Sequence, residues 1–413
     1  MDKILWKPDN IQQTHFNNFI GLVNSRYNKN LISYNDLYDW SVNNIPQFWE
    51  TTLDYSDIVY SGKYDRVIEN MNMEPGAKWF PGLTLNFAEN LLKFRDDKTA
   101  IISKIENHPA RKISYQDLFI EVEKLAAALR GLGVKRGDRV AGFLPNIPEA
   151  IIAMLATASI GAIWSSSSPD FGIKSVTDRF SQIEPKIIFS ASAYIYNGKS
   201  FSSIEKLQEI IKQLPTIEKV IIVDYLNTRP DYAKIPNSIN YKTLLSNDPG
   251  PIIFEQVPFD HPLYVLYTSG TTGKPKGAML THRNLASNTN SIRIAMGLVP
   301  GEDVMLVVLP MFHAFAATVG MLFPLLHGCT FVPVPKFEPN LVVDTIAATG
   351  ATVFMAVPSM YNVLLRLPET AVPKLDSLRF CLSGGAAMPV EILKQFEERY
   401  GKLIYEGDGP TEC

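Results

Sequence analysis

Short, continuously apolar runs alternate with helix-length segments through most of this chain, and that rhythm restricts the fold more than any other feature. Lys186-Ile187-Ile188-Phe189-Ser190 and Lys219-Val220-Ile221-Ile222-Val223-Asp224 have no polar face. Strands of that kind belong in a mostly parallel sheet covered by helices on both sides. Between them Ser203 to Leu214 reads as a helix, as do Ile147 to Ile160 and Ser175 to Ile183 earlier. Ser114 is placed to cap a helix in which Leu118, Val122, Leu125, Ala126 and Leu129 recur at helical spacing, and Gly131 and Gly133 end it. Arg139 to Leu144 and Ala162 to Trp164 read as strands.

A polar, Pro- and Asn-bearing passage from Tyr225 to Pro258 interrupts the rhythm, which then resumes. Strands are predicted at Tyr264 to Tyr267, Val304 to Leu309, Thr330 to Val334, Ala351 to Ala356 and Ser377 to Leu382, with helices between. The expected architecture is α/β with two mostly parallel sheets. The predicted division is a cap over 1–95, a first α/β subdomain over 96–258 and a second over 259–413. The first stretch, to about Lys78, has weak periodicity and many Asn, Tyr, Trp and Asp residues, the mark of an irregular or short-helical aromatic cap.

Composition narrows the class. Lys plus Arg number 39 against 42 Asp plus Glu, a net charge of −3. No basic excess exists to track a nucleic-acid backbone. The three cysteines, Cys329, Cys381 and Cys413, make neither a disulfide framework nor a zinc site and point to a reducing, cytoplasmic setting. No signal-peptide core follows Met1. The apolar stretches Ile147 to Trp164 and Ala314 to Leu326 carry Pro148 and Glu149, or Gly320 and Pro324, and read as buried core helices, not integral membrane segments.

The chemistry concentrates in Tyr267-Thr268-Ser269-Gly270-Thr271-Thr272-Gly273-Lys274-Pro275-Lys276-Gly277, between an apolar strand and a helix expected near Thr281. Glycines let backbone N–H groups approach a polyphosphate, hydroxyls donate further hydrogen bonds, and lysines supply charge. The spacing is not that of a Walker A loop. An ordinary Ser/Gly/Thr turn is the bland alternative, but it seldom gathers so many polar groups between a buried strand and a helix start.

This run resembles, almost letter for letter, the phosphate-binding signature of adenylate-forming enzymes: acyl-CoA synthetases, luciferases and peptide-synthetase adenylation domains. Three further segments resemble that family in its own order. Leu309-Pro310-Met311-Phe312-His313-Ala314-Phe315 is similar to its Pro-x-Phe-His element beside the acyl group. Ser383-Gly384-Gly385-Ala386-Ala387-Met388-Pro389 resembles its adenine-binding turn. Tyr405-Glu406-Gly407-Asp408-Gly409-Pro410-Thr411-Glu412 resembles its Tyr-Gly-x-Thr-Glu element, with Asp408 where an aromatic usually lies along the base.

The resemblance implies an αβαβα N-terminal domain, ATP and Mg²⁺, a carboxylic acid as substrate and CoA as co-substrate. It assigns catalytic roles to Lys276, His313, Thr411 and Glu412. It assigns nucleotide contacts to Thr268, Ser269, Gly270, Thr271, Thr272, Gly273, Lys274, Gly384, Gly385, Ala386 and Asp408, and metal contacts to Glu412 and Thr271. It also implies that the chain stops before the family's β-barrel subdomain and C-terminal lid, so that the chain as it stands turns over poorly.

Two halves point to two acids. Residues 1–225, with Trp79-Phe80-Pro81-Gly82, Leu85 to Asn90, Gly137 to Gly142, Leu144 to Ala150 and Ile163-Trp164-Ser165-Ser166 through Ser168-Pro169-Asp170-Phe171-Gly172, resemble the acetoacetyl-CoA synthetases. Residues from 261, with Thr281-His282-Arg283-Asn284-Leu285, the Phe312-His313 element and Glu406-Gly407-Asp408-Gly409-Pro410-Thr411-Glu412, resemble medium- and long-chain fatty acyl-CoA synthetases. Because residues after 260 are expected to shape the acyl pocket, with Met311, Phe315, Met321, Phe354, Met355 and Val357 as its apolar surface, a fatty acid is the expected substrate. Acetoacetate or another short acid is the alternative. Loading of a carrier protein, and a non-catalytic nucleotide- or acyl-binding module, are the readings beyond CoA ligation.

Overall fold

The structure, a computed structural model, describes residues 12, 14–72, 76–104, 109–196, 199–245, 250–268 and 275–411. It divides into two compact units, one of residues up to Leu85 with Ile294–Gly297, the other of Asn86–Arg293 and the chain from Leu298.

In the first unit the weakly periodic N-terminal stretch forms three helices, α1 (His15–Tyr27), α2 (Tyr34–Asn43) and α3 (Ile45–Tyr55). Thr14 and Ser33 cap the first two through their hydroxyls. Ile20, Val23, Leu37 and Trp40 form the shared core, with Phe16, Phe19, Tyr27 and Phe48 packed around it. A short antiparallel pair follows, β1 (Ser61–Gly62) with β2 (Leu83–Thr84).

The second unit opens with α4 (Phe87–Leu91), β3 (Thr99–Ser103), β4 (Arg111–Ser114), α5 (Tyr115–Gly131), β5 (Arg139–Phe143) and α6 (Pro148–Ser159). Next come β6 (Ile163–Ser167), α7 (Ile173–Phe180), β7 (Ile187–Ala191), the hairpin β8 (Ala193–Tyr196) and β9 (Lys199–Ser202), α8 (Ile204–Lys212) and β10 (Lys219–Val223). After β11 (Ser238–Asn240) and α9 (Tyr241–Leu244) the chain continues through β12 (Pro262–Thr268), β13 (Lys276–Thr281), α10 (His282–Met296) and β14 (Val304–Val307). A π-helical turn, Ala316–Leu322, precedes α11 (Phe323–Leu326). The remainder is β15 (Thr330–Pro333), α12 (Pro339–Thr349), β16 (Val353–Ala356), α13 (Pro358–Leu364), β17 (Phe380–Ser383), α14 (Val390–Tyr400) and β18 (Ile404–Glu406).

Two seven-stranded sheets result, in the orders β11-β10-β7-β5-β6-β12-β13 and β18-β17-β16-β14-β15-β3-β4. Each is parallel except for an antiparallel hairpin at one edge, β12–β13 in the first and β3–β4 in the second. Sheet membership does not follow the expected division at 258. Strand β3 pairs with β15 through Ile101 and Phe331, and β12 pairs with β6 through Tyr264 and Trp164, so each sheet takes its hairpin from the other's stretch of sequence. The passage from Tyr225 to Pro258 also contributes an edge strand, β11.

The helices between the sheets explain the largely apolar α6. Every residue of it but Ala150 is buried; it touches β5 and β6 of the first sheet and α5, which in turn touches β3 and β4 of the second. A helix apolar all round needs protein on all sides. Among the described residues no helix is long and apolar enough to cross a membrane. Ser114 caps α5 in a reciprocal box with Asp117, and Leu118, Val122, Leu125, Ala126 and Leu129 are its buried face. On the outer faces, α12, α13 and α14 cover the second sheet with Val342, Ile346, Tyr361 and Phe396, while α7 and α8 cover the first with Val176, Phe180, Leu207 and Ile210.

Candidate active site

Parallel strands followed by helices leave their carboxyl ends open, and ligand crevices of α/β proteins form there. The segments singled out by motif leave the sheets at those ends. Thr268 ends β12; Pro310 to His313 follow β14; Ser383 ends β17 and leads to Gly384; Glu406 ends β18 and leads to Asp408. In β13, Lys276 lies opposite Thr268 across the hairpin, with its side chain exposed.

A continuous line of contacts ties these ends together. The Tyr267 hydroxyl donates to the Arg179 carbonyl at 2.5 Å, and Gln182 donates to the Pro275 carbonyl at 3.1 Å, so α7 and the turn after it hold the two strands of the hairpin. The Arg179 guanidinium lies 5.0 Å from the centre of the Phe171 ring and 5.9 Å from that of Tyr267. Phe171 packs edge-on to Phe312 at 5.2 Å. Three residues on, Phe315 covers Gly384: a Cβ on Gly384 would stand 3.2 Å from its Cε1 and 3.2 Å from the Gly407 carbonyl oxygen. Gly407 donates to the Ser383 carbonyl at 2.8 Å, and Glu406 accepts from the Met388 N–H at 2.9 Å, closing the Gly384 turn onto the strand that carries Asp408. Nothing in the local pattern singles out Arg179; only its stacking between two motif segments reveals it.

Electrostatics follow from burial. Desolvation raises the Tyr267 pKa against the favourable field of Arg179. It lowers that of His313, whose ring nonetheless reaches solvent. The Phe315 N–H donates to His313 Nδ1 at 3.4 Å, which puts the proton of the neutral ring on Nε2.

Beside this line a cleft of about 330 Å³, counted to its open mouth, runs between the end of β5, Trp164 and Ser166 of β6, Tyr264 of β12 and the segment after β14. Leu144, Met154, Trp164, Met311, Phe312 and Met321 supply apolar wall, and Ser166 and Tyr264 a hydroxyl pair bonded at 2.7 Å. The Trp164 ring lies on Gly142, where a Cβ would come within 2.6 Å of it. The π-helical turn sets Gly320 down on Val307 and brings Met321 to the cleft. Asn146 fixes the near wall: it accepts from the Met311 N–H at 3.0 Å and donates to the Leu309 carbonyl at 2.9 Å. Of the apolar residues expected around the acyl group, Met311 and Met321 line this cleft. Phe315 lies on Gly384, while Phe354 belongs to the core under the second sheet.

Ser269, Gly270, Thr271, Thr272, Gly273, Lys274 and Glu412 lie outside the described residues. Asp408 is exposed and Thr411 half-buried in the turn after β18. Gly385 has φ +77, a conformation that favours glycine. The segment Thr281 to Leu285, read as a sign of a fatty acid, builds a helix start. The Thr281 hydroxyl and the Asn284 side chain cap each other's N–H groups, and His282 is buried with Nδ1 accepting from the Phe87 N–H at 3.2 Å.

Residues 87–413 match the AMP-binding enzyme family and residues 34–91 the acetyl-coenzyme A synthetase N-terminus. The chain is 41% identical over 407 residues to acetoacetyl-CoA synthetase of Gallus gallus, covering 94% of this chain and 60% of that protein. It is 33% identical over 441 residues to a malonamoyl-CoA synthetase of Penicillium aethiopicum, covering 98% and 61%. Its fold superposes on the structure of acetoacetyl-CoA synthetase from Streptomyces lividans with a TM-score of 0.88 at 32% identity, covering 99% of this chain and 65% of that one. The chain therefore spans about 60% of the length of these curated relatives. One kind of relative matches both halves, so the fatty-acid expectation drawn from the second half is not supported.

Proposed function

We propose the following function for a chain that belongs to the AMP-binding enzyme family: its site takes part in ATP-dependent activation of a short 3-oxo acid, acetoacetate first among them, to an acyl-AMP and then a CoA thioester. The observation that carries this reading is the line of contacts from Tyr267 through Arg179, Phe171 and Phe312 to Phe315 and Gly384, which gathers four motif segments at one crevice. Acetoacetate and malonamate, the acids named in the relatives, share a carbonyl two carbons from the carboxylate, and that feature is taken as the substrate class.

In the first step the carboxylate attacks the α-phosphate of ATP in line and pyrophosphate leaves. The mixed anhydride then passes its acyl group to the CoA thiol, and AMP leaves. Both steps depend on positioning and on neutralising anions. Lys276, with Thr268 opposite it, and the hydroxyls of Ser269, Thr271 and Thr272 are assigned to the departing pyrophosphate. Gly384, Gly385 and Ala386 are assigned to the adenine, with Asp408 beside it, and Thr411 to the α-phosphate. His313, neutral through desolvation and carrying its proton on Nε2, is assigned to the acid's carboxylate. Glu412 and Thr271 would hold Mg²⁺, which would offset the phosphate charge as pyrophosphate departs. Cys329 and Cys381, both buried and free, support a reducing, cytoplasmic setting.

The test is binding of non-hydrolysable acyl-sulfamoyl adenosines. A ligand at about a hundred times its dissociation constant adds roughly 2.7 kcal/mol to the folded state. Stabilisation by the acetoacetyl analogue, lost in Lys276→Met, is expected. Stabilisation by the dodecanoyl analogue alone, or by neither, would overturn the reading.

A further inference from the structure

We propose that the Ser166–Tyr264 hydroxyl pair is the element that reads the C3 carbonyl of the acid, and so makes the cleft selective for 3-oxo acids over simple alkanoates; the inference deepens the function proposed above and rests on it. The two hydroxyls meet at 2.7 Å across neighbouring strands, Ser166 near the end of β6 and Tyr264 on β12, in register with Trp164. Both line the cleft whose near wall is Met311 and Phe312, the two residues that precede His313. An acid with its carboxylate at His313 would therefore direct its other end into this space.

The rest of the wall sharpens the case. Leu144, Met154, Trp164 and Met321 offer carbon to a ligand, and the Asn146 amide is already committed to the backbone of Leu309 and Met311. A carbonyl buried against carbon alone is costly unless a donor meets it. Two hydroxyls bonded to each other, with the Trp164 side chain as the second partner of Tyr264, use one hydroxyl proton and leave the other to donate. Burial pushes the Tyr264 pKa up to about 12, so the pair keeps both protons at neutral pH. The Trp164 ring, laid on Gly142, forms the wall beside the pair. An alkanoate of equal length puts a methylene where the carbonyl would lie and leaves the donor unpaired.

The experiment compares acetoacetyl- and butyryl-sulfamoyl adenosine, which differ by a carbonyl in place of a methylene, in calorimetric titrations of the wild-type chain, Tyr264→Phe and Ser166→Ala. The wild type is expected to prefer the acetoacetyl analogue by about tenfold or more. Each variant should lose most of that preference by weakening the acetoacetyl analogue alone, with butyryl affinity within about threefold of wild type. Two variants at opposite ends of one hydrogen bond keep the test open if either fails to fold. A wild-type preference that survives in a folded variant would overturn the inference and leave the function standing. A wild type that binds the acetoacetyl analogue no better than the butyryl one would likewise overturn the inference alone. A wild type that binds neither would overturn both.

Discussion

Asn146 clamps Met311. Its Oδ1 accepts the Met311 N–H at 3.0 Å while its Nδ2 donates to the Leu309 carbonyl at 2.9 Å, in a site where Asn146 itself is buried. One side chain at the end of β5 thus sets the course of the segment that carries Phe312 and His313, across 165 residues of sequence. Asn146→Ala strands both backbone groups, and a buried group without a partner costs about 1–3 kcal/mol. The expected outcome is a lower urea midpoint together with weaker binding of the acetoacetyl adenylate analogue. Unchanged values in both measurements would mean the segment holds its course without the clamp.

His282 supplies a pH dependence. Burial, with the neighbouring His261 as a smaller cause, lowers its pKa from 6.5 to about 3. The folded state therefore keeps it neutral where the unfolded chain takes up a proton. Unfolding then binds protons below pH 6.5, so this stability is complete above about 6.5 and is lost as pH falls toward 3. The slope should approach about 1.4 kcal/mol per pH unit in mid-window. His282→Asn, which keeps an acceptor for the Phe87 N–H, should flatten the profile measured by urea titration at pH 7, 6 and 5. An equally steep profile in the variant would assign the acid limb to other groups.

Gly142 and Trp164 test the cleft wall. A methyl at Gly142 would stand 2.6 Å from Trp164 Cζ2 and 2.7 Å from Cη2. Overpacking a core of this kind costs about 1–3 kcal/mol. Gly142→Ala should lower the thermal midpoint and displace the indole, seen as a shift in tryptophan fluorescence. A stable variant with an unshifted spectrum would mean the ring yields freely.

Gly384 and Gly385 are adjacent but should respond differently. Gly385 has φ +77 and meets only Val357 at 3.8 Å, so Gly385→Ala strains the backbone and costs about 1 kcal/mol of stability. Gly384 has no positive φ, and its added methyl would press on Phe315 and on the Gly407 carbonyl, the surface assigned to the nucleotide. Gly384→Ala is expected to weaken adenylate-analogue binding more than it lowers the melting temperature. The reverse pattern would remove the nucleotide assignment from this turn.

Much of the fold was legible along the chain because its signals are local. A cap and its helix lie within one turn, as at Ser114 and Asp117. A mostly apolar run such as Ile187–Ala191 reports a strand buried on both faces, and all five of its residues are buried. The order of the Tyr267–Gly277, Phe312-His313, Gly384-Gly385 and Thr411-Glu412 segments was likewise enough to identify the kind of enzyme. The second-half segments misled about the acid: Thr281 to Leu285, for one, reads as a substrate signature, yet its Thr and Asn cap a helix and its His fills a core.

By itself, then, the sequence determined the element types, the parallel-sheet class and the membership of the motif series, since each depends on residues a few positions apart. Tertiary structure alone decided which sheet each hairpin joins, that Asn146 holds Met311, that Arg179 lies between Tyr267 and Phe171, and that Ser166 meets Tyr264. Those pairings join residues up to 230 positions apart, Ile101 with Phe331, and no periodicity or spacing encodes them. They are fixed only when buried strands and helices close on one another and every polar group between them must find a partner.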